Sequence, residues 1–211
     1  MNLPIRKLFG LVLVLLYLYG NSQPSESGLV EYEFGYPFKT GVYYTFEDFK
    51  TNSPTEIGSF RVITRASEFV CRNGTVSDYI EYESKGETIR INGADIWGYA
   101  KRGSVYVTHK NMFYKILMFG GICFLDVIRG GKEDDEVQNP FNAATTEHFA
   151  LLDAETGKTF DFRIKYLENL LSNDKEVYEE YLKSSLKRKD KKFVFLRKYN
   201  DKHKIYFPLV H

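Results

Sequence analysis

Between Gly58 and Val127 the chain alternates short apolar or aromatic runs with glycine turns, and this ladder limits the fold more than any other feature. Phe60-Arg-Val-Ile-Thr, Tyr79-Ile-Glu-Tyr, Thr88-Ile-Arg-Ile and Ser104-Val-Tyr-Val-Thr mix polar positions with β-branched or aromatic ones. Tyr114-Lys-Ile-Leu-Met-Phe and Ile122-Cys-Phe-Leu-Asp-Val are more continuously apolar, as strands covered on both faces would be. Asn73-Gly74, Lys85-Gly86, Asn92-Gly93, Arg102-Gly103 and Gly120-Gly121 separate the runs. Short strands joined by such turns pair antiparallel in a meander or small barrel. No segment here is long enough for crossover helices, which excludes a doubly wound parallel sheet.

A second hairpin is expected where Phe149-Ala-Leu-Leu-Asp153 and Thr159-Phe-Asp-Phe-Arg163 flank the turn Ala154-Glu-Thr-Gly157-Lys. The period then changes. Ile164, Leu167, Leu170 and Leu171 are spaced for one helix face, and Asn173 with Glu176 predicts a capping-box start. Val177, Tyr178, Tyr181, Leu182 and Leu186 continue a 3.6-residue stripe, with Glu179 and Lys183 paired on the outer face. Phe193 to Asn200 reads as either strand or helix. The fold class is therefore α+β: an antiparallel β-rich body over 23–163 with a helical segment over 164–211 packed on it.

Residues 1–22 read as a cleavable signal peptide. Arg6 and Lys7 precede an uncharged apolar run from Leu8 to Tyr19. The run is too short for a membrane span, which needs about 20 apolar residues, but suits a signal-peptide core of roughly 7–15. Gly20 and Ser22 supply small side chains for cleavage before Gln23. The expected address is secreted or periplasmic, with no transmembrane segment after cleavage. Without Arg6 and Lys7, 27 basic residues face 28 acidic ones, so the mature charge of −1 gives no global reason to expect nucleic acid or a membrane surface as partner.

Outside the cytoplasm the two cysteines, Cys71 and Cys123, are a candidate disulfide, although Cys123 in Gly-Gly-Ile-Cys-Phe-Leu reads equally well as a small buried residue. Two sulfurs do not make a zinc site. No metal site and no cofactor is expected.

Three stretches resemble a group of uncharacterised secreted bacterial proteins with a β-rich body and a helical tail. They are Gly41-Val-Tyr-Tyr-Thr-Phe-Glu-Asp-Phe49 with Asn52 and Pro54, Ile96-Trp-Gly-Tyr99 with Val105-Tyr106, and Phe195-Leu-Arg-Lys-Tyr-Asn200. The resemblance implies envelope or extracellular placement and no particular activity. Read on their own, Thr45 caps a single helical turn whose Glu47 and Asp48 suit its positive end, with Pro54 as the stop. Trp97 is a core or barrel-mouth aromatic.

The chemistry-bearing motifs mostly dissolve on inspection. Thr156-Gly-Lys-Thr159 looks like the end of a phosphate loop, but Leu152 stands where its first glycine belongs and a strand follows. The acidic run Glu133 to Glu136 lacks the alternating ligands and central glycine of a calcium loop. His109, His148, His203 and His211 belong to no zinc or nucleophile signature. Residues 183–204 hold ten basic residues against Asp190 and Asp201, net +8. Residues 131–161 hold eight acidic ones against Lys132 and Lys158, net −6. These read as solvated faces, as patches that meet each other, or as a basic surface for an anionic partner.

The leading expectation is a non-enzymatic binding module for an unknown envelope protein or glycan, with Trp97, Tyr99 and Tyr106 as ligand-binding candidates. No catalytic residue is singled out. A hydrolase acting on an envelope or extracellular polymer is the alternative, and a small barrel enclosing an apolar ligand is a third.

Overall fold

The computed structural model describes residues 28–64, 77–127 and 149–210. The expected leader, Cys71, His148 and the acidic run Glu133 to Glu136 lie outside them. The elements are β1 (Leu29–Glu31), β2 (Gly41–Tyr43), α1 (Phe46–Lys50), β3 (Phe60–Ile63), β4 (Tyr79–Ser84) and β5 (Glu87–Asn92). After a 3-10 turn at Gly93–Asp95 come β6 (Gly98–Lys101), β7 (Ser104–His109), β8 (Met112–Met118), β9 (Ile122–Val127), β10 (Phe149–Asp153) and β11 (Thr159–Asp161). The helices α2 (Ile164–Leu171), α3 (Lys175–Lys183) and α4 (Arg188–Lys202) precede β12 (Tyr206–Pro208).

The antiparallel α+β class holds, with the strands divided among three sheets. Seven strands run in the order β11-β10-β9-β8-β7-β6-β2; β3-β4-β5 form a second sheet, and β1 pairs with β12. Tight hairpins build the meander. Lys85-Gly86, Arg102-Gly103 and Lys110-Asn111 all have positive φ at both positions, as the favoured two-residue turn requires. Asn92-Gly93 makes no hairpin; the chain there enters the 3-10 turn and passes from the small sheet to the large one.

The large sheet is curled but not closed into a barrel. β7 and β11 are four positions apart in the order, about 19 Å if the sheet were flat. Nevertheless His109 on β7 hydrogen-bonds Thr159 and Asp161 on β11. The β10–β11 turn also reaches past β6: Trp97 Nε1 donates to Gly157 O at 3.3 Å. Gly157, at φ 72°, is needed for a second reason, because a Cβ there would lie 2.4 Å from the Phe46 ring.

Curling divides the core. The concave face carries Val105 and Val107 of β7, Tyr114 and Ile116 of β8, Cys123 and Leu125 of β9, and Ala150 and Leu152 of β10. A plug of rings from Tyr36, Phe38, Phe49 and Phe207 fills it. The convex face is covered in two halves. Ile122, Phe124, Phe149 and Leu151 meet α2–α4 through Leu167, Leu171, Tyr181 and Leu196. Val42, Tyr99, Tyr106 and Phe113 meet Phe60, Ile80 and Ile91 of the small sheet. β9 is thus covered on both sides, which is why its sequence lacks alternation.

Helix boundaries follow local chemistry. Thr45 and Asp48 form a reciprocal capping box on α1. That helix ends at Lys50, before Pro54, and Asn52 at φ 48° makes the exit turn. The cap of α3 is Asp174, whose carboxylate accepts from Val177 N at 3.0 Å, and not Asn173. The expected stripe breaks: Leu182 is exposed within α3, and Leu186 lies exposed beyond its end at Lys183. Phe193 to Asn200 is helical, within α4. The segment after 164 is also not helical throughout, because β12 returns to pair with β1.

Candidate functional site

The three aromatic candidates do not form a common surface. Tyr99 and Tyr106 pair across β6 and β7 and stack at 4.5 Å, both buried under the small sheet. Trp97 lies with the concave cluster, stacked on Phe49 at 4.6 Å. Gly98 separates the two sets, and its backbone packs so closely that a Cβ would meet Tyr106 O at 2.2 Å. Tyr99 and Tyr106 are enclosed in packing, while Trp97 is half-buried against Phe49. Cys123 is equally enclosed: its thiol donates to Gly120 O at 3.4 Å, and burial pushes its pKa up to about 12.

The curled sheet instead brings a polar constellation together on its concave side, where β7 approaches β11. His109 follows Val107 on the inward face of β7, while Thr159 and Asp161 pair with Leu152 and Ala150 and so face inward from β11. His109 Nδ1 lies 2.9 Å from Thr159 Oγ1, and Nε2 lies 3.1 Å from Asp161 Oδ1. Burial lowers the pKa of His109 despite the neighbouring carboxylate, favouring the neutral ring. The carboxylate of Asp161 can only accept, so Nε2 carries the proton. Nδ1 then accepts from the Thr159 hydroxyl. Asp161 is held below its ordinary range, first by Lys110 and then by His109, with Arg163 Nε at 3.4 Å from its other oxygen. A hydroxyl, a neutral imidazole and an ionised carboxylate thus stand in series. Sequence pattern alone missed this group, since about fifty positions separate its halves.

A second feature is a groove of about 220 Å³ between β1, the β8–β9 hairpin and the end of α4. Its apolar lining includes Tyr32, stacked on Phe119 at 4.0 Å, and Ile205. Glu31 and Lys204, paired with each other at 3.7 Å, and Arg197 and Asp201 add charges of both signs. The tight seating of α4 fixes its shape: the Asn200 amide bonds both backbone groups of Ile122, and Gly120 leaves no room for a Cβ against that side chain.

Part of the basic tail is neutralised within the fold by carboxylates of α3 and its N-cap. Lys198 pairs with Glu180, while Lys202 reaches Asp174 at 2.7 Å and Glu176 at 2.9 Å. His203 also contacts Asp174 at 2.9 Å, so neither it nor His109 is a free surface histidine. Among the described residues no group of three His, Cys, Asp or Glu side chains is placed to hold a metal, and no helix is long and apolar enough to cross a membrane.

Comparison with protein-family models, with curated proteins and with solved structures finds no match to this chain.

Proposed function

We propose that the chain is an exported, non-enzymatic binding module whose recognition site is the groove between β1, the β8–β9 hairpin and α4. The observation that carries this reading is the combination in that groove of an aromatic wall with charges of both signs. Such a lining suits a small ligand, or one residue of a larger partner, with an apolar body and an ionised group. Export rests on the leader-like Arg6–Ser22 segment and on the resemblance to secreted bacterial proteins. An enclosed apolar ligand has no comparable support, since buried rings occupy the concave face it would need.

The test is co-purification from the native envelope with quantitative mass spectrometry, comparing wild type with Phe119→Ser and Arg197→Glu. A species retained by wild type and lost from both variants supports the groove. Equal retention by all three removes it.

A second reading is favoured by the Thr159–His109–Asp161 series: a hydrolase acting on an envelope or extracellular polymer. In that chemistry Thr159 Oγ attacks an acyl carbon and its proton passes to His109 Nδ1, Asp161 stabilises the resulting imidazolium, the imidazolium returns the proton to the leaving group as its bond to the acyl carbon breaks, and water then hydrolyses the acyl-threonine ester. Hydrolysis of an activated phenyl ester by wild type, abolished in Thr159→Val and His109→Gln, would move the function to this site. Rates that do not differ between wild type and the two variants would eliminate it.

A further inference from the structure

Beside the groove the chain carries a side chain of the kind the groove suits. Phe34 is fully exposed at the tip of the turn 33–36. Tyr36 N donates to Glu33 O at 3.0 Å to close that turn, and Gly35 at φ 92° supplies its left-handed residue. Tyr36 is itself pinned, since it is buried and its hydroxyl donates to Pro208 O at 2.7 Å. The ring is thus presented on a fixed support, with the exposed carboxylate of Glu33 next to it. Phe34 is only two residues from Tyr32 of the groove wall, within about 7 Å along the backbone. It nevertheless stands in water, so its own groove does not take it.

The surface bordering the groove is apolar as well. In the β1–β12 register Leu29 lies opposite Pro208 and Glu31 opposite Tyr206, with Val30 and Phe207 between them. Opposite residues share a face and neighbours alternate. Phe207 is fully buried, so Leu29, Glu31, Tyr206 and Pro208 form the outer face, where Leu29 is 42% exposed and Tyr206 50%. Glu31 belongs both to this face and to the groove lining, which makes the two continuous. Charge in the groove is balanced, Glu31 and Asp201 against Arg197 and Lys204. A projecting ring, a recess and equal numbers of both charges on one surface are self-complementary, as a twofold contact between identical copies requires. A small ligand would leave Phe34 and the outer face of the ribbon in water.

We propose that the partner of the groove is a second copy of this chain, the two copies associating about a twofold axis with the Phe34 ring of each seated in the Tyr32–Phe119 recess of the other. This rests on the groove reading above and names its occupant. Each copy gives a ring and receives one, so the exchange closes at two and does not propagate.

Sedimentation velocity of the full chain over a concentration series tests it. Wild type is expected to dimerise. Phe34→Ser and Phe119→Ser each remove both ring contacts and should raise the dissociation constant about 100-fold, at about tenfold per ring. An equimolar mixture of the two variants keeps one intact contact, because the first variant has the recess and the second has the ring. Its mixed dimer should form about tenfold more tightly than either variant alone. The Leu8–Tyr19 run is common to every variant, so association through it would show no such pattern. Phe34→p-benzoylphenylalanine should, on irradiation, give a covalent dimer joined at Tyr32, Met118 or Phe119 of the other copy, a readout that does not depend on how well Phe119→Ser folds. Wild type that stays monomeric, a dimer that Phe34→Ser leaves unchanged, or a crosslink that maps outside the groove overturns the proposal, as does a folded Phe119→Ser that gains nothing on mixing. Phe34→Ser leaves the groove lining intact. Failure of the dimer with a co-purified species still lost from Phe119→Ser and Arg197→Glu therefore removes only the second copy, whereas equal retention by those variants removes the groove.

Discussion

The side chain of Asn200 completes the hydrogen bonding of Ile122. Nδ2 donates to Ile122 O at 2.8 Å, and Oδ1 accepts from Ile122 N at 2.9 Å, so one amide on α4 substitutes for a neighbouring strand at the start of β9. Asn200→Ala strands two buried backbone groups at about 1–3 kcal/mol each. A loss of about 3 kcal/mol in urea unfolding is expected. Asn200→Asp should do no better, because a carboxylate cannot donate to Ile122 O.

Gly157 and Phe46 interlock where the β10–β11 turn meets α1. Gly157→Ala combines an unfavourable positive φ with a Cβ driven into the ring, and should cost about 3 kcal/mol. Adding Phe46→Ala relieves the collision but not the backbone strain. A double-mutant cycle should therefore show a coupling of about 1–2 kcal/mol, and additivity would show that the ring and turn do not press on each other.

Acid should unfold the protein in steps of common sign. His109 is lowered by burial, so below its unfolded value of about 6.5 the unfolded chain takes up a proton more readily than the fold. Stability falls with pH from there. Asp161 and Asp174 are both depressed by charged partners, chiefly Lys110 and Lys202. Their contribution is complete above the unfolded carboxylate value of about 3.9 and is lost as pH falls toward their folded values. His109→Gln should flatten the first decline and Asp174→Asn the second. Chemical denaturation across pH reads both slopes.

Trp97 is the single tryptophan, and it stacks on Phe49. Phe49→Ala should cost about 3–5 kcal/mol and shift the tryptophan emission to the red as water reaches the indole. Tyr99→Ala should cost a similar amount without the shift, because its ring lies in the other cluster. Identical spectra for the two variants would contradict the two-faced core.

Local patterns in the sequence revealed most of the meander. The runs at Phe60, Tyr79, Thr88, Ser104, Tyr114 and Ile122 all belong to strands, because apolar residues and turn glycines act within a few positions of each other. Errors arose where distant contacts decide. Leu182 and Leu186 continue a helical stripe on paper, but at Ser184 ψ turns to 132° and the helix ends. Trp97 and Tyr99 are two apart in sequence, yet Trp97 packs with the concave cluster and Tyr99 with the convex one. The register of α4 was obscured because its packed side includes polar Asn200 beside Phe195, Leu196 and Tyr199. The Thr159–His109–Asp161 series could not be read at all, since only the curl of the sheet brings its halves together.

Phe207 gives this architecture a timetable. Its fully buried ring belongs among Tyr36, Phe38, Phe49 and Phe119, all contributed far earlier in synthesis. A growing polypeptide therefore cannot finish its interior until residue 207 has left the ribosome, and for most of translation the greasy hollow awaiting that ring stays unsealed.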